Sequence, residues 1–223
     1  MAKKVAVVLS GCGFLDGTEI QEAVSLLVHL DRVGLDSQCF APDEDQPTIV
    51  DHVSGGGSNE RRNMMIEGAR ISRGRIRPLE ALSAEAFDGL AFPGGFGVVS
   101  NLSTFASEGA TCRVHAHAER VIREFHAAKK PIGMCCIAPV LAAKVLGQKF
   151  GGPGVTVTLG GAGPTPAAVE AMGNTHEVKG VTEVCVDELN RIVSTPAYMY
   201  EAKPHAVFTG IGALADAMAR LIG

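Results

Sequence analysis

The chain has 223 residues, and its 46% hydrophobic content with only 5% aromatic residues predicts a globular protein whose core is built from aliphatic and small side chains. Its net charge is −4 at pH 7, with lysine and arginine scattered along the chain. Because nucleic-acid-binding proteins concentrate basic residues on one surface, we expect no nucleic-acid partner. Small molecules or proteins are the expected partners.

Neither a membrane span nor a disulfide framework is expected. The apolar runs fall short of the roughly 18 residues that cross a bilayer, and residues 1–4 lead directly into a strand pattern without a signal-peptide signature. The six cysteines stand singly or as one adjacent pair, in a chain large enough to fold without cross-links. These features predict a reducing compartment.

The first half of the chain alternates between strand and helix patterns. A continuous apolar run at residues 5–9 is typical of a strand buried on both faces of a parallel sheet. Helical spacing follows over 18–33, with Gly34 as a stop signal. The next predicted elements are a short strand at 38–41, a loop rich in Asp, Gly and Pro up to about residue 59, and a helix over 59–73.

The second half continues the alternation. Its predicted elements are a strand at 90–92, a helix over 114–128, a strand before residue 136, a strand at 155–159, a hairpin of 183–187 and 192–195, and a helix over 206–222. Strands that alternate with helices form βαβ units and hence a parallel sheet. We therefore predict a single domain over 1–223 with a doubly wound α/β fold, helices on both faces of the sheet and a small C-terminal hairpin.

The segment 131–139 predicts a reactive cysteine. A short apolar strand reaches Cys136 and turns at once into a helix signal at residues 137–139. Such a nucleophile elbow exposes its central residue, and the first backbone N–H groups of the helix favour negative charge there. Because this environment lowers a thiol pKa, we expect Cys136 to be a thiolate nucleophile. A free cysteine is also often a small buried hydrophobe, which is the role expected for Cys135.

Two further loops are expected to meet Cys136, because ligands bind outside the carboxyl ends of parallel strands. The loop 10–17 leads to a helix with Glu19 and Glu22 on nearly the same face, and either carboxyl group could reach the sulfur. Alternatively, both glutamates are present only because negative charge is favoured at the positive N-terminal end of a helix. The Gly94–Gly95 turn offers a backbone N–H to a bound oxyanion, although Pro-Gly-Gly is also an ordinary turn.

These residues resemble a known family. The segments CIAP at 136–139, PGG at 93–95, NLS at 101–103 and EAV at 22–24 look like the DJ-1/PfpI superfamily, which has a flavodoxin-like, class I glutamine amidotransferase-like sandwich fold. The segments SGCG at 10–13, DGTEI at 16–20, RN at 62–63, AR at 69–70, FPGGFG at 92–97 and TPAY at 195–198 look like its ES1/ElbB branch. The resemblance covers nearly the whole chain.

The resemblance implies roles for four residues. Cys136 is expected to be the nucleophile, Glu22 the acid hydrogen-bonded to its sulfur, and the N–H groups of Gly95 and Ile137 the oxyanion site. Glu19 remains the second choice for the acid. Bacterial relatives of the ElbB type are described as glyoxalases that act without glutathione, and members of the superfamily are usually dimers. The implied protein is a homodimeric lyase that acts on a small aldehyde and needs no cofactor or metal ion.

The chain departs from other members of the superfamily in its histidines. Many members place a histidine directly after the nucleophile, where this chain has Ile137, and amidotransferases of similar architecture need a spaced His and Glu downstream. Only the adjacent His176-Glu177 pair is present, after a region predicted to be a loop. The other histidines are expected to be mostly solvated, and His115 and His117 do not share a helical face, so no metal site is predicted.

Several alternatives remain open on sequence alone. Cys12 could approach Cys136 and resolve an oxidised sulfur, or be structural. The predicted 59–73 helix could form a lid over a substrate, although a solvated or structural role is favoured. The same cysteine site would suit a glyoxalase or a redox-responsive protein, and less well a hydrolase or amidotransferase. The predicted location is cytoplasmic, or mitochondrial if this is a eukaryotic ES1 chain without its transit segment.

Overall fold

A seven-stranded sheet forms the centre of the computed structural model, which describes residues 2–223. The chain contains β1 (Lys3–Val8), β2 (Leu35–Ala41), β3 (Ile49–Val50), β4 (Gly57–Ser58), β5 (Ile76–Pro78), β6 (Gly89–Phe92), β7 (Ile132–Cys135), β8 (Thr156–Val157), β9 (Thr175–His176), β10 (Cys185–Asp187) and β11 (Ile192–Thr195). The central order is β10-β11-β7-β6-β1-β2-β5, and all neighbours are parallel except β10 and β11. This sheet aligns the carboxyl ends of β1, β6 and β7.

Helices cover both faces of the sheet. They are α1 (Ile20–Arg32), α2 (Met64–Ile71), α3 (Gly97–Ser100), α4 (Phe105–Glu108), α5 (Ala116–Ala127), α6 (Pro139–Leu146), α7 (Pro164–Ala171) and α8 (Pro204–Ile222). One hydrophobic cluster joins the sheet to α5, α6 and α7, and a second joins it to α1 and α8. The predicted flavodoxin-like α/β fold is therefore confirmed.

The central strands are apolar throughout because both of their faces are covered. Residues 5–8 of β1 and all of β6 and β7 are buried, as expected for strands between two helical layers. The predicted hairpin forms β10 and β11, and β11 pairs in parallel with β7, so the hairpin extends the main sheet. Thr195, the last residue of β11, consequently lies beside Cys135 at the end of β7.

Several predicted element boundaries were wrong. The helix predicted over 59–73 begins only at Met64, because the Asn63 side chain caps it by accepting the N–H groups of Met65 and Ile66. The strand predicted at 155–159 shortens to β8, which pairs with β9 outside the main sheet. Helix α7 and edge strand β5 were not predicted, since prolines interrupt both patterns.

Helix α1 buries only one of its apolar faces. Ala23, Leu26 and Leu30 face the core, whereas Val24 and Val28 are exposed. Apolar residues occur around most of this helix, so periodicity alone did not identify the buried side.

Helix α8 corrects the expectation that no segment approaches membrane-spanning length. It has 19 residues with a mean hydropathy of 1.2, enough on length and composition to cross a bilayer. Its Val207, Ile211, Leu214 and Met218 are buried in the cluster that joins the helix to α1, β7 and β11. Packing against the sheet therefore accounts for its apolar character.

Candidate active site

Cys136 sits in a sharp turn between β7 and α6. Its φ angle is +56°, in the left-handed region that side-chain-bearing residues seldom occupy. The N–H of Cys136 donates to the carbonyl of Thr195 at 2.9 Å, and the N–H of Ala138 donates to the carbonyl of Cys135 at 2.9 Å. These bonds fix the conformation of the turn. Cys136 itself is 8% exposed.

Glu22 is the carboxylic acid at this elbow. Its side chain is completely buried and lies next to the thiol of Cys136, whose pKa it raises. The backbone N–H of Gly94 donates to Oε2 at 2.8 Å, and that of Tyr198 donates to Oε1 at 3.2 Å. Segments that follow β6 and β11 therefore orient a carboxyl group carried by α1.

Burial changes the proton affinity of both groups. It raises the pKa of Glu22 to about 7, and the nearby Glu19 charge adds to this, while hydrogen bonds from Tyr198, Gly94 and Cys136 oppose it. Burial and the Glu22 carboxylate raise the pKa of the Cys136 thiol well above its ordinary value, although the N–H of Ile137 opposes the shift. The prediction that the helix end would lower the pKa of this thiol was wrong, because desolvation outweighs the few N–H dipoles.

Glu19 has a different position from Glu22. It is the N-cap residue of α1, and its Oε2 accepts the backbone N–H of Glu22 at 2.6 Å. Its carboxyl group also lines the cavity above Cys136, where burial raises its pKa. Of the two glutamates left open by the sequence, Glu22 is the one that lies next to Cys136 and raises the pKa of its thiol.

Gly94 and Gly95 fit tightly between the elbow and the start of α1. A Cβ atom on Gly94 would lie 2.5 Å from Cβ of Cys136 and 2.7 Å from Oε2 of Glu22. Gly95 has a φ of +102°, and a Cβ there would lie within 2.4 Å of backbone atoms of Gly17 and Glu19. Glycine is therefore required by close approach at both positions and by backbone conformation at Gly95.

Two backbone N–H groups belong to residues that line the cavity together with Cys136. That of Ile137 opposes the rise in the pKa of the thiol. The N–H of Gly95 has no acceptor among residues 2–223, and Gly95 lines the same cavity as Cys136 and Ile137. The structure thus brings together the four residues expected at this site, namely Cys136, Glu22, Gly95 and Ile137.

A cavity of about 410 Å³ opens above Cys136. Its apolar lining, which sequence analysis missed, includes Phe14, Phe96, Val99, Phe105 and Met199. The N–H of Phe96 donates to the carbonyl of Phe14 at 2.8 Å, joining the loops that follow β1 and β6. The FPGGFG segment offered a signal for Phe96, but Phe105 and Met199 come from α4 and from the segment after β11, which only the fold brings near.

No histidine lines this cavity in the part of the chain that the structure describes. His176 lies in β9, and its Nε2 accepts the N–H of Leu159 at 3.1 Å. The expectation that the remaining histidines are mostly solvated fails for His29, which is 6% exposed and stacks on Phe208. Within residues 2–223 no group of three His, Cys, Asp or Glu side chains could hold a metal ion.

Cys12 and the 59–73 segment lie elsewhere. Cys12 is not among the cavity residues, and its charged neighbours include Glu67 and Arg70. Glu67 is buried and paired with Arg62 and Arg70. No residue of the 59–73 segment lines the cavity. The geometry therefore agrees better with the structural role favoured for this segment than with a lid over a substrate.

Comparison with solved structures defines the class of the fold. An isoprenoid biosynthesis protein with an amidotransferase-like domain from Ehrlichia chaffeensis superposes with a TM-score of 0.92 at 35% identity, and the match covers 100% of both chains. DJ-1beta of Drosophila melanogaster superposes with a TM-score of 0.56 at 15% identity, covering 100% of this chain and 94% of the other, which shows a shared fold. The molecule thus has the α/β fold of these two proteins.

Sequence comparison is more specific. The chain is 51% identical over 230 residues to the mitochondrial ES1 protein homolog of Rattus norvegicus, covering 99% of this chain and 84% of the relative. It is 50% identical to the human mitochondrial glutamine amidotransferase-like class 1 domain-containing protein 3, and the match covers 100% of this chain and 84% of the relative. No family model matches. On these relatives, the chain belongs to the ES1 family.

Proposed function

We propose that the protein is a cofactor-independent glyoxalase that converts glyoxal, or a similar small 2-oxoaldehyde, to the 2-hydroxy acid. The observation that carries this proposal is the buried Glu22 carboxyl group, which lies beside the thiol of Cys136 where the elbow opens into a cavity. A titratable pair at a cavity is suited to proton transfer that accompanies attack by sulfur. The roles below belong to this proposal.

In the first step, the sulfur of Cys136 attacks the aldehyde carbon and forms a hemithioacetal. The thiol proton passes to Glu22, so the buried pair holds one proton and never carries two negative charges. The developing alkoxide would accept hydrogen bonds from the N–H groups of Gly95 and Ile137. The free N–H of Gly95 supports this assignment.

In the second step, a proton moves from the former aldehyde carbon to the neighbouring carbonyl carbon. The first carbon is oxidised to a thioester and the second is reduced to an alcohol, so no external oxidant or reductant is consumed. Glu22 would first give the thiol proton to the alkoxide oxygen. As a carboxylate it would then carry the carbon-bound proton from one carbon to the other, the electron pair being held in an enediolate. A pKa of about 7 is appropriate for this transfer at neutral pH. Water then cleaves the thioester, giving the hydroxy acid and the free thiol.

The proposal is tested by measuring glycolate formation from glyoxal with purified protein. We expect turnover by the wild type, none by Cys136→Ala, and a loss of about 10²- to 10⁴-fold in Glu22→Gln. Cys112→Ala is the matched control, because it removes a buried thiol outside the cavity. The proposal fails if the wild type is no faster than Cys136→Ala.

A redox-responsive role is the second candidate. The N–H of Ile137 and the protonated Glu22 carboxyl group that surround the sulfur would also stabilise a cysteine sulfinate. Mass spectrometry after mild peroxide treatment would detect the addition of two oxygen atoms to Cys136. Such oxidation, together with absence of glycolate formation, would favour this function over the glyoxalase.

An amidotransferase or hydrolase is a weaker candidate despite the names of some relatives. Those activities rely on a histidine beside the cysteine, and the lining of this cavity contains none. The location of the protein is also a proposal. The names of the rat and human relatives include the word mitochondrial, which supports mitochondria over the cytoplasm, and organelle fractionation would test it.

A further inference from the structure

The Cys136 cavity is larger than a small dialdehyde requires. Its volume is about 410 Å³. Glyoxal has four heavy atoms and fills less than about a third of this space, if each is given the roughly 30 Å³ share of a water molecule. Pockets of a few hundred Å³ usually enclose ligands with a substantial apolar body. The remaining volume therefore provides room for a substituent on the reacting carbonyl compound.

The lining around this extra volume is apolar. Phe105 and Val99 come from α4 and α3, and Met199 from the segment after β11. Phe14 and Phe96 stand at the mouth and are 50% and 54% exposed. Their backbones are hydrogen-bonded to each other, which fixes the loops that carry them. An apolar group entering the cavity would remove part of both rings from water, which is favourable.

The charges at the site select against anions. Glu19 lies in the lining, Glu22 lies beside Cys136, and no lysine, arginine or histidine lines the cavity. A carboxylate or phosphate on the substrate would lose its hydration without gaining a cationic partner. Repulsion by Glu19 would also help the anionic hydroxy-acid product to leave.

We infer that the substrate of this site is an uncharged 2-oxoaldehyde that carries an apolar substituent of about phenyl size, bound against Phe14, Phe96 and Phe105. The inference rests on the proposed glyoxalase function for the reacting group, but the substituent is argued from the cavity alone. For phenylglyoxal, the reaction joins one water molecule to the substrate and gives mandelate and a proton. No further reactant is needed.

The first experiment compares kcat/KM for phenylglyoxal, glyoxal and 4-carboxyphenylglyoxal. We expect phenylglyoxal to exceed each of the others by at least about tenfold, the usual gain from filling an apolar pocket. Phe105→Ala should reduce the ratio of phenylglyoxal to glyoxal by about tenfold. Phe150→Ala, whose ring lies outside the cavity on Lys144, should leave the ratio unchanged. A kcat/KM for glyoxal equal to that for phenylglyoxal would overturn the inference. A kcat/KM for 4-carboxyphenylglyoxal equal to that for phenylglyoxal would overturn the part of the inference that requires an uncharged substrate.

The second experiment does not depend on turnover. Acetophenone and acetone, which are ketones without an aldehyde group, are tested for protection of Cys136 against iodoacetamide. We expect acetophenone to protect at a concentration at least about tenfold lower than acetone. If none of the three aldehydes of the first experiment is converted but acetophenone protects Cys136, the glyoxalase proposal falls and the apolar binding site stands. If the two ketones protect equally, the inference is overturned whatever the turnover.

Discussion

The carboxyl group of Glu22 lies beside the thiol of Cys136 while both of its oxygens accept backbone N–H groups, from Gly94 and Tyr198. The carboxyl therefore has a fixed orientation and presents its proton, or its free lone pair, to the sulfur. Because ionisation of one group opposes ionisation of the other, the two titrate as a pair. The first proton leaves this pair near pH 7.

Alkylation of Cys136 by iodoacetamide should therefore depend on pH in two steps. The rate should rise near pH 7, where the pair begins to share one proton, and again at high pH, where the thiol is fully ionised. Glu22→Gln should abolish the lower step and give a single transition. It should also increase alkylation at pH 8, because the buried negative charge that opposes thiolate formation is gone.

Glu19→Gln is the control for this profile. The Glu19 charge contributes to the raised pKa of Glu22, so its removal should move the lower step to lower pH and retain it. A two-step profile that persists in Glu22→Gln would contradict the proposed pairing. In Glu22→Gln, the turnover of glyoxal should fall while the rate of Cys136 alkylation does not. This difference separates proton transfer from formation of the nucleophile.

Gly95→Ala should be much less stable than the wild type. The added Cβ would lie within 2.4 Å of backbone atoms, at a φ of +102°, and we expect a loss of about 3 kcal/mol or more. Gly55→Ala is the matched control, with a φ of +72° and no atom within 4 Å of its Cβ, and should cost about 1 kcal/mol. Urea unfolding measures both. Equal losses would show that the contact with the Gly17–Glu19 segment is unimportant.

Stability should decrease in mild acid because of His29. Burial and the neighbouring Arg32 lower its pKa below the ordinary value of 6.5, so the folded state binds fewer protons than the unfolded state. Its contribution is present above about pH 6.5 and is lost as the pH falls through the folded pKa. His29→Phe should lose less stability than the wild type between pH 7 and pH 5 in chemical unfolding. The exposed His205→Gln should behave as wild type, and an unchanged pH dependence in His29→Phe would exclude this cause.

A homodimer is expected from the family resemblance, and α1 carries a surface that a second copy could cover. Ile20, Val24 and Val28 are spaced four residues apart on one face, and each is more than 40% exposed. We propose that this row lies in the dimer contact. Light scattering should give twice the chain mass for the wild type and the chain mass for Val24→Glu. Leu189→Glu, at an isolated exposed site, should remain dimeric, and a monomeric wild type would refute the proposal.

Much of the fold could be predicted from local pattern. The apolar runs at β1, β6 and β7 and the helices between them indicate a parallel sheet, because the two sides of such strands are both covered. Elements without such a pattern were missed. Helix α7 contains Pro164 and Pro166, and β5 is a three-residue edge strand with a terminal Pro78. Their positions depend on contacts that chain neighbours do not reveal.

The sequence by itself determined that Cys136 lies in a strand-to-helix turn, since the apolar strand, the cysteine and the helix-starting proline are consecutive. It also limited the acid to Glu19 or Glu22. Only the tertiary structure decided between them: Glu19 turns back to cap α1, while Glu22 points to the place where the chain after β6, β7 and β11 converges. It also raised the pKa of the cysteine thiol and shaped its cavity, because desolvation and apolar lining are produced jointly by segments far apart in sequence.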